Sequence, residues 1–112
     1  MDCIFCKIIN HTLPANIVYE DAEIIAFDDL HPKAPCHKLI IPKKHVATMN
    51  DLEIADKQLL GNIILVAQKL ANRENIAANG YRLVVNCNRN GGQMIYHLHF
   101  HLLGGKKLSD LT

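Results

Sequence analysis

Residues 96–103 read Tyr96, His97, Leu98, His99, Phe100, His101, Leu102, Leu103, so three of the seven histidines stand at every second position with large apolar residues between them. Successive side chains of a β-strand point to opposite faces of the sheet, which puts His97, His99 and His101 on one face and Leu98, Phe100 and Leu102 on the other. One face is then chemistry and the other core. Imidazoles about 7 Å apart along a strand pack poorly, but they titrate near neutral pH and ligate metals. Alternation alone supports two kinds of site. One is zinc, since two histidines two apart can ligate one ion. The other is covalent catalysis, in which a central histidine attacks phosphorus while its neighbours orient or neutralise the reacting groups.

Working outward, Asn86, Asn88, Asn90, Gly91, Gly92 and Gln93 gather amides and flexible backbone just upstream, a composition that suits both an anion-binding loop and a plain hairpin turn. Tyr81–Asn86 reads as a strand, introduced by the turn at Asn79 and Gly80. Before it, Leu59, Leu60, Ile63, Ile64, Ala67, Leu70 and Ala71 recur at three- and four-residue spacings, which predicts the main helix over Leu52–Asn75. Gly61 lowers helix propensity by roughly 1 kcal/mol relative to Ala, so a close packing contact is expected there. Asn16–Glu20 and Glu23–Phe27 read as a hairpin around Glu20 and Asp21, and Lys38–Ile41 as a strand that Pro42 stops or pushes to an edge. A short helix is expected over Ile4–Asn10 with Ile4, Phe5 and Ile8 buried, and Lys106–Thr112 reads as an exposed tail. Connections mostly too short for parallel crossovers predict an α+β domain, an antiparallel sheet with helices on one face.

Composition bounds the function. At 112 residues the chain is one domain, 1–112, and its formal net charge of +1 gives no basis for a nucleic-acid groove or an anionic membrane surface. No apolar run approaches a membrane span, and no basic-then-apolar leader opens the chain, so a cytoplasmic protein is expected. Its four cysteines are then thiols or metal ligands rather than disulfides. Cys36 and Cys87 are expected to pack as small hydrophobes. Cys3 and Cys6 have metal-ligand spacing.

HLHFHLL matches the pattern that names the histidine-triad (HIT) superfamily. CIFCKII, FDDLHPKAPCHKLIIPKKH, GYRLVVN and GGQMIYHLHFHLLGG, in this order over nearly the whole chain, resemble its Hint branch, the nucleoside phosphoramidases. The resemblance implies a five-stranded antiparallel sheet with one short and one long helix, extended across a homodimer. It implies hydrolysis of the P–N bond of purine nucleoside 5′-phosphoramidates, derivatives of AMP or GMP, through a nucleotidyl-histidine. In that pattern His99 is the nucleophile, His101 contacts the phosphate or the bridging atom, and His37 lies beside the phosphate. Asp29 accepts hydrogen bonds from the ribose diol, Asn86, Gly92 and Gln93 approach ribose or phosphate, and Phe5, Ile8, Leu13 and Phe27 wall the base. Ordinary core is the alternative reading of those four.

Zinc-containing relatives use the CxxC with two histidines, and Cys3, Cys6, His45 and His97 fill those positions, two thiolates and two imidazoles suited to a structural zinc. No catalytic metal is expected. The alternative leaves Cys3 and Cys6 as reduced thiols and His97 as a support for His99. Met94 departs from relatives that carry a serine after Gly-Gly-Gln to assist the departing amine, since a thioether neither donates nor accepts usefully; the short tail departs too. Dinucleoside polyphosphate hydrolysis, a nucleotide-binding adaptor with little turnover and a metallohydrolase are the competing readings.

Overall fold

The computed structural model describes residues 3–110. In chain order the elements are α1 (Ile4–Ile9), β1 (Ile17–Glu20), β2 (Ile24–Asp28), β3 (Cys36–Pro42), α2 (Lys57–Arg73), β4 (Tyr81–Val85) and β5 (Phe100–Gly104). The strands form one five-stranded sheet in the order β1-β2-β3-β5-β4, with every neighbouring pair antiparallel. The α+β class and the five-stranded antiparallel sheet are as expected. β5 is slotted between β3 and β4, so the last strand lies near the centre of the sheet.

Each sheet face has its own core. Ile24 and Ala26 of β2, Ile40 of β3 and Leu102 of β5 pack with Leu59, Ile63, Val66, Ala67 and Leu70 of α2. Ile25 and Phe27 alternate to the opposite face, where they meet Leu39, Ile41, Phe5 and Ile8 of α1. The expectation of helices on one face only is therefore corrected. α1 covers part of the second face, which is why β2 and β3 read as nearly continuous apolar runs rather than alternating ones.

α2 begins at Lys57, five residues later than the apolar period suggested, because two local bonding patterns capture the preceding chain. The Thr48 hydroxyl accepts from Asn50 N–H while the Asp51 carboxylate accepts from Thr48 N–H, and the Asp56 carboxylate accepts from Glu53 N–H. These close two 3₁₀ turns, Met49–Asp51 and Ile54–Asp56. Ile64 and Leu65 face outward, and among the described residues nothing beyond the helix's own backbone and Gly61's chain neighbours lies within 4 Å of a Cβ built on Gly61, so the packing contact expected there is not made among them. Pro42 ends β3 without moving it to an edge, since a last position loses little by lacking an N–H. In the predicted tail, Lys106 and Lys107 are exposed, Leu108 is half-buried and the Ser109 carbonyl accepts from Arg82; Leu111 and Thr112 lie outside the described residues.

Candidate active site

Only part of the histidine run is strand. β5 starts at Phe100, so His101 alone sits in the ladder, opposite Leu39 of β3 and Val84 of β4. Residues 93–99 follow an irregular path because other partners claim them: Leu98 N–H donates to Val46 O at 2.7 Å, and the Gln93 amide donates to Ala47 O and Ile95 O. The expected alternation survives. Phe100 and Leu102 join the α2-side core, while the three imidazoles meet partners on the α1 side.

His99 is buried, with Phe5 edge-on at 5.2 Å between ring centroids. Its Nδ1 lies 2.8 Å from the His97 carbonyl oxygen, which can only accept, so Nδ1 carries the proton. Nε2 is left with its lone pair. The same reasoning gives His101 the opposite tautomer. Lys33 N–H donates to His37 Nδ1 at 3.0 Å, which makes His37 Nε2 the donor towards His101 Nδ1 at 2.9 Å. His101 then holds its proton on Nε2. Two histidines two residues apart thus present, respectively, an electron pair and an N–H.

Asp29 stands beside this chain of bonds, with Oδ2 3.4 Å from His37 Nε2 and Oδ1 accepting from His31 N–H at 2.8 Å. Burial pushes His101 down to about 4, with neighbouring His99 and His37 adding repulsion and Asp29 opposing it. Burial also lowers His37. Both are therefore neutral at pH 7 in the free site. The sign of the stability effect follows. Between the ordinary histidine value of 6.5 and about 4 the unfolded chain binds the proton that folded His101 refuses. This stabilisation is complete above pH 6.5 and is expected to be lost progressively as pH falls towards 4, read as a falling urea midpoint; a midpoint constant over that range contradicts it.

These groups line a cavity of about 430 Å³ with Phe5, Asp29, Lys33, Leu39, Val84, Asn86, Gly92, Met94, Ile95 and Leu103. Asn86 donates to Gly91 O at 2.7 Å, and Gly92 adopts φ +84°, a left-handed conformation that suits glycine, so the loop folds back over the cavity. Gln93 is not on the wall. It is buried, with its carbonyl accepting from Asn88 N–H and its amide donating twice, so it fixes the loop from behind. Ile8, Phe27 and Leu13 are likewise absent from the wall and belong to the hydrophobic cluster beneath Phe5. Met94 is 87% exposed at the cavity mouth.

Sequence reading missed His31, Lys33, Leu39, Val84, Ile95 and Leu103. Leu39 and Val84 could have been found, since each is the direct cross-strand partner of His101 once register is known. Lys33 acts here through its backbone and left no side-chain signal.

A second cluster lies behind the first. Donor atoms of Cys3, Cys6, His45 and His97 all lie within 4.8 Å of one another, a set that could hold a metal ion. His97 is wholly buried, and its Nε2–H donates to Pro42 O at 2.8 Å, so Nδ1 presents a lone pair to the other three. It lies 3.4 Å from Cys3 Sγ, 3.6 Å from Cys6 Sγ and 3.1 Å from His45 Nδ1. With His97 Nδ1 committed as an acceptor, the space between the two nitrogens has room for a proton on His45 Nδ1 or for a cation.

The HIT-domain family model matches residues 10–108. The chain belongs to the HIT family. Within the family it is 49% identical over 110 residues to the purine nucleoside phosphoramidase of Escherichia coli (strain K12), spanning 98% of this chain and 92% of that protein. A HIT family hydrolase from Legionella pneumophila Philadelphia 1 superposes with a TM-score of 0.95 at 53% identity, over 96% of each chain. A histidine triad protein from Clostridium difficile gives 0.96 at 43% identity, over 100% of this chain and 97% of that one. The family match begins just after α1 and takes in all five strands and α2, so the HIT fold positions the histidines of both clusters. Among the described residues no helix is long and apolar enough to cross a membrane.

Proposed function

We propose that this HIT protein hydrolyses the P–N bond of purine nucleoside 5′-phosphoramidates, derivatives of AMP or GMP, through a nucleotidyl-His99 intermediate. The observation that carries the reading is the opposed tautomers of His99 and His101 over one cavity, supported by near-full-length similarity to a purine nucleoside phosphoramidase. His99 Nε2 forms a bond to the α-phosphorus as the P–N bond breaks. A bound phosphate anion favours protonated His101, and that proton passes to the departing nitrogen. Water then attacks the nucleotidyl-His99, its proton going to His101, and the nucleoside monophosphate leaves.

The remaining assignments follow the cavity. Asp29 offers two acceptor oxygens to the ribose diol, Asn86 and Gly92 flank the phosphate, and Gln93 acts through the loop it fixes. Phe5 meets the base, with Ile8, Leu13 and Phe27 setting its position. His37 keeps His101 in its donor tautomer.

Zinc is the metal we assign to Cys3, Cys6, His45 and His97. A tetrahedron with zinc bonds of 2.0–2.3 Å has edges of about 3.3–3.8 Å; the three sulfur–nitrogen separations, 3.4, 3.4 and 3.6 Å, fall within that range, and the 3.1 Å between the two imidazole nitrogens falls just below it. The ion would supply structure, tying α1 and the segment after β3 to the histidine run; catalysis needs no metal. The outward face of α2, with Ile64 and Leu65 exposed, and the edge strand β4 support a homodimer. Free cysteines at all four positions suit a cytoplasmic setting. Incubation with adenosine 5′-phosphoramidate should release AMP and ammonia; no release at micromolar enzyme overturns the activity.

A further inference from the structure

We propose that the amine this site releases carries a negative charge, recognised by Arg82 and the lysines that extend the cavity; the inference rests on the phosphoramidase reading. The catalytic cavity shares Lys33 and Leu103 with an adjoining groove of about 580 Å³, which Arg82, Lys106 and Lys107 also line. Four cations thus rim this groove, against the single carboxylate of Asp110. Among the described residues no carboxylate lies within 4.0 Å of any of the four, whereas Lys38, Lys43 and Lys44 are each paired.

Register decides which end of the substrate meets them. Val84 stands opposite His101 and Arg82 opposite Leu103, so Arg82 projects on the cavity face one repeat, roughly 7 Å, beyond Val84. Asp29 follows β2 and approaches His37 of β3. In the strand order β2-β3-β5-β4, a ribose held by Asp29 lies on the β3 side of His101. In an in-line displacement the departing nitrogen lies opposite His99, hence towards the Leu103 end of β5, and Arg82 of β4 stands opposite Leu103.

Arg82 is prepared for the task. One guanidinium amine donates to Ser109 O at 2.7 Å, which holds the group over the groove, and four of its five N–H donors remain. A carboxylate suits that planar fork better than a neutral amide does. The chemical class is therefore an amino acid, or a similar carboxylate-bearing amine, joined through nitrogen to a nucleoside 5′-phosphate. Its carboxylate takes no part in the bonds that change.

Two probes test this: adenosine 5′-phosphoramidates of β-alanine and of its neutral amide. The readout is the ratio of their kcat/KM values, anionic over neutral. Arg82→Gln should lower that ratio roughly five- to tenfold relative to wild type, mostly through KM of the anionic probe. In wild type the ratio should also fall as salt rises from about 10 mM to 1 M, because the screening length shrinks from about 30 to 3 Å; this arm is independent of how the variant folds. A ratio unchanged by both the substitution and salt overturns the inference while leaving the phosphoramidase activity standing. If wild type cleaves adenosine 5′-phosphoramidate but neither probe, this inference fails and the phosphoramidase reading stands; if it cleaves none of the three, both fail.

Discussion

His99→Ala should lower turnover of adenosine 5′-phosphoramidate by at least about 10³-fold, because among His37, His99 and His101 only His99 keeps a ring lone pair free of hydrogen bonds for phosphorus. The His101 Nε2 carries a proton and His37 points both nitrogens into hydrogen bonds. The variant should keep its fold, since the His97 carbonyl that loses its donor lies in a segment held by other bonds. His101→Ala should cost less, on the order of 10²–10⁴-fold, the range of a lost general acid. Steady-state rates on variants with matched circular dichroism check this. Wild-type turnover in His99→Ala would remove the nucleophile.

The second large effect is on stability. His97→Ala should cost about 3–5 kcal/mol, as truncation of a large buried ring does, and lower Tm by more than about 10 °C. The side chain is wholly buried, and it joins Pro42 at the end of β3 to Cys3 and Cys6 around α1. Its backbone carbonyl also orients His99, so activity should fall with stability. Chelation of wild-type protein should reproduce much of the Tm loss and leave turnover at low temperature largely intact, the mark of a structural ion. Immediate loss of turnover on chelation, with Tm unchanged, would place the metal in the chemistry. Less than a tenth of an equivalent of zinc in protein purified without chelator would remove it from the structure.

Much of this was legible in the chain before folding. Alternation in residues 96–103 identified which side chains are core and which are reactive, and it held even where the backbone leaves the sheet, because extended backbone alternates whether or not it is paired. The α2 stripe was legible from its period, but its start was not. Thr48, Asp51 and Asp56 redirect the preceding residues through local bonds that an apolar count does not register. The second core was hidden because six residues of α1 are too few to show a face, so Ile8 and Leu13 read almost equally as pocket or core. What divides His99 from His101 was wholly invisible. Identical side chains acquire opposite tautomers from a carbonyl in one case and from Lys33 N–H, relayed by His37, in the other. Only the fold brings those partners together, across 64 residues for His37 and His101.

The central claim is that His99 becomes covalently nucleotidylated during turnover. Wild-type protein mixed with adenosine 5′-phosphoramidate, quenched within milliseconds under denaturing, alkaline conditions and mapped by peptide mass spectrometry, reports this directly. One adenylyl group on the peptide that contains His99, lost from His99→Ala, is the expected result. Full turnover with no adduct at any quench time, or an adenylyl group carried by another residue, contradicts it.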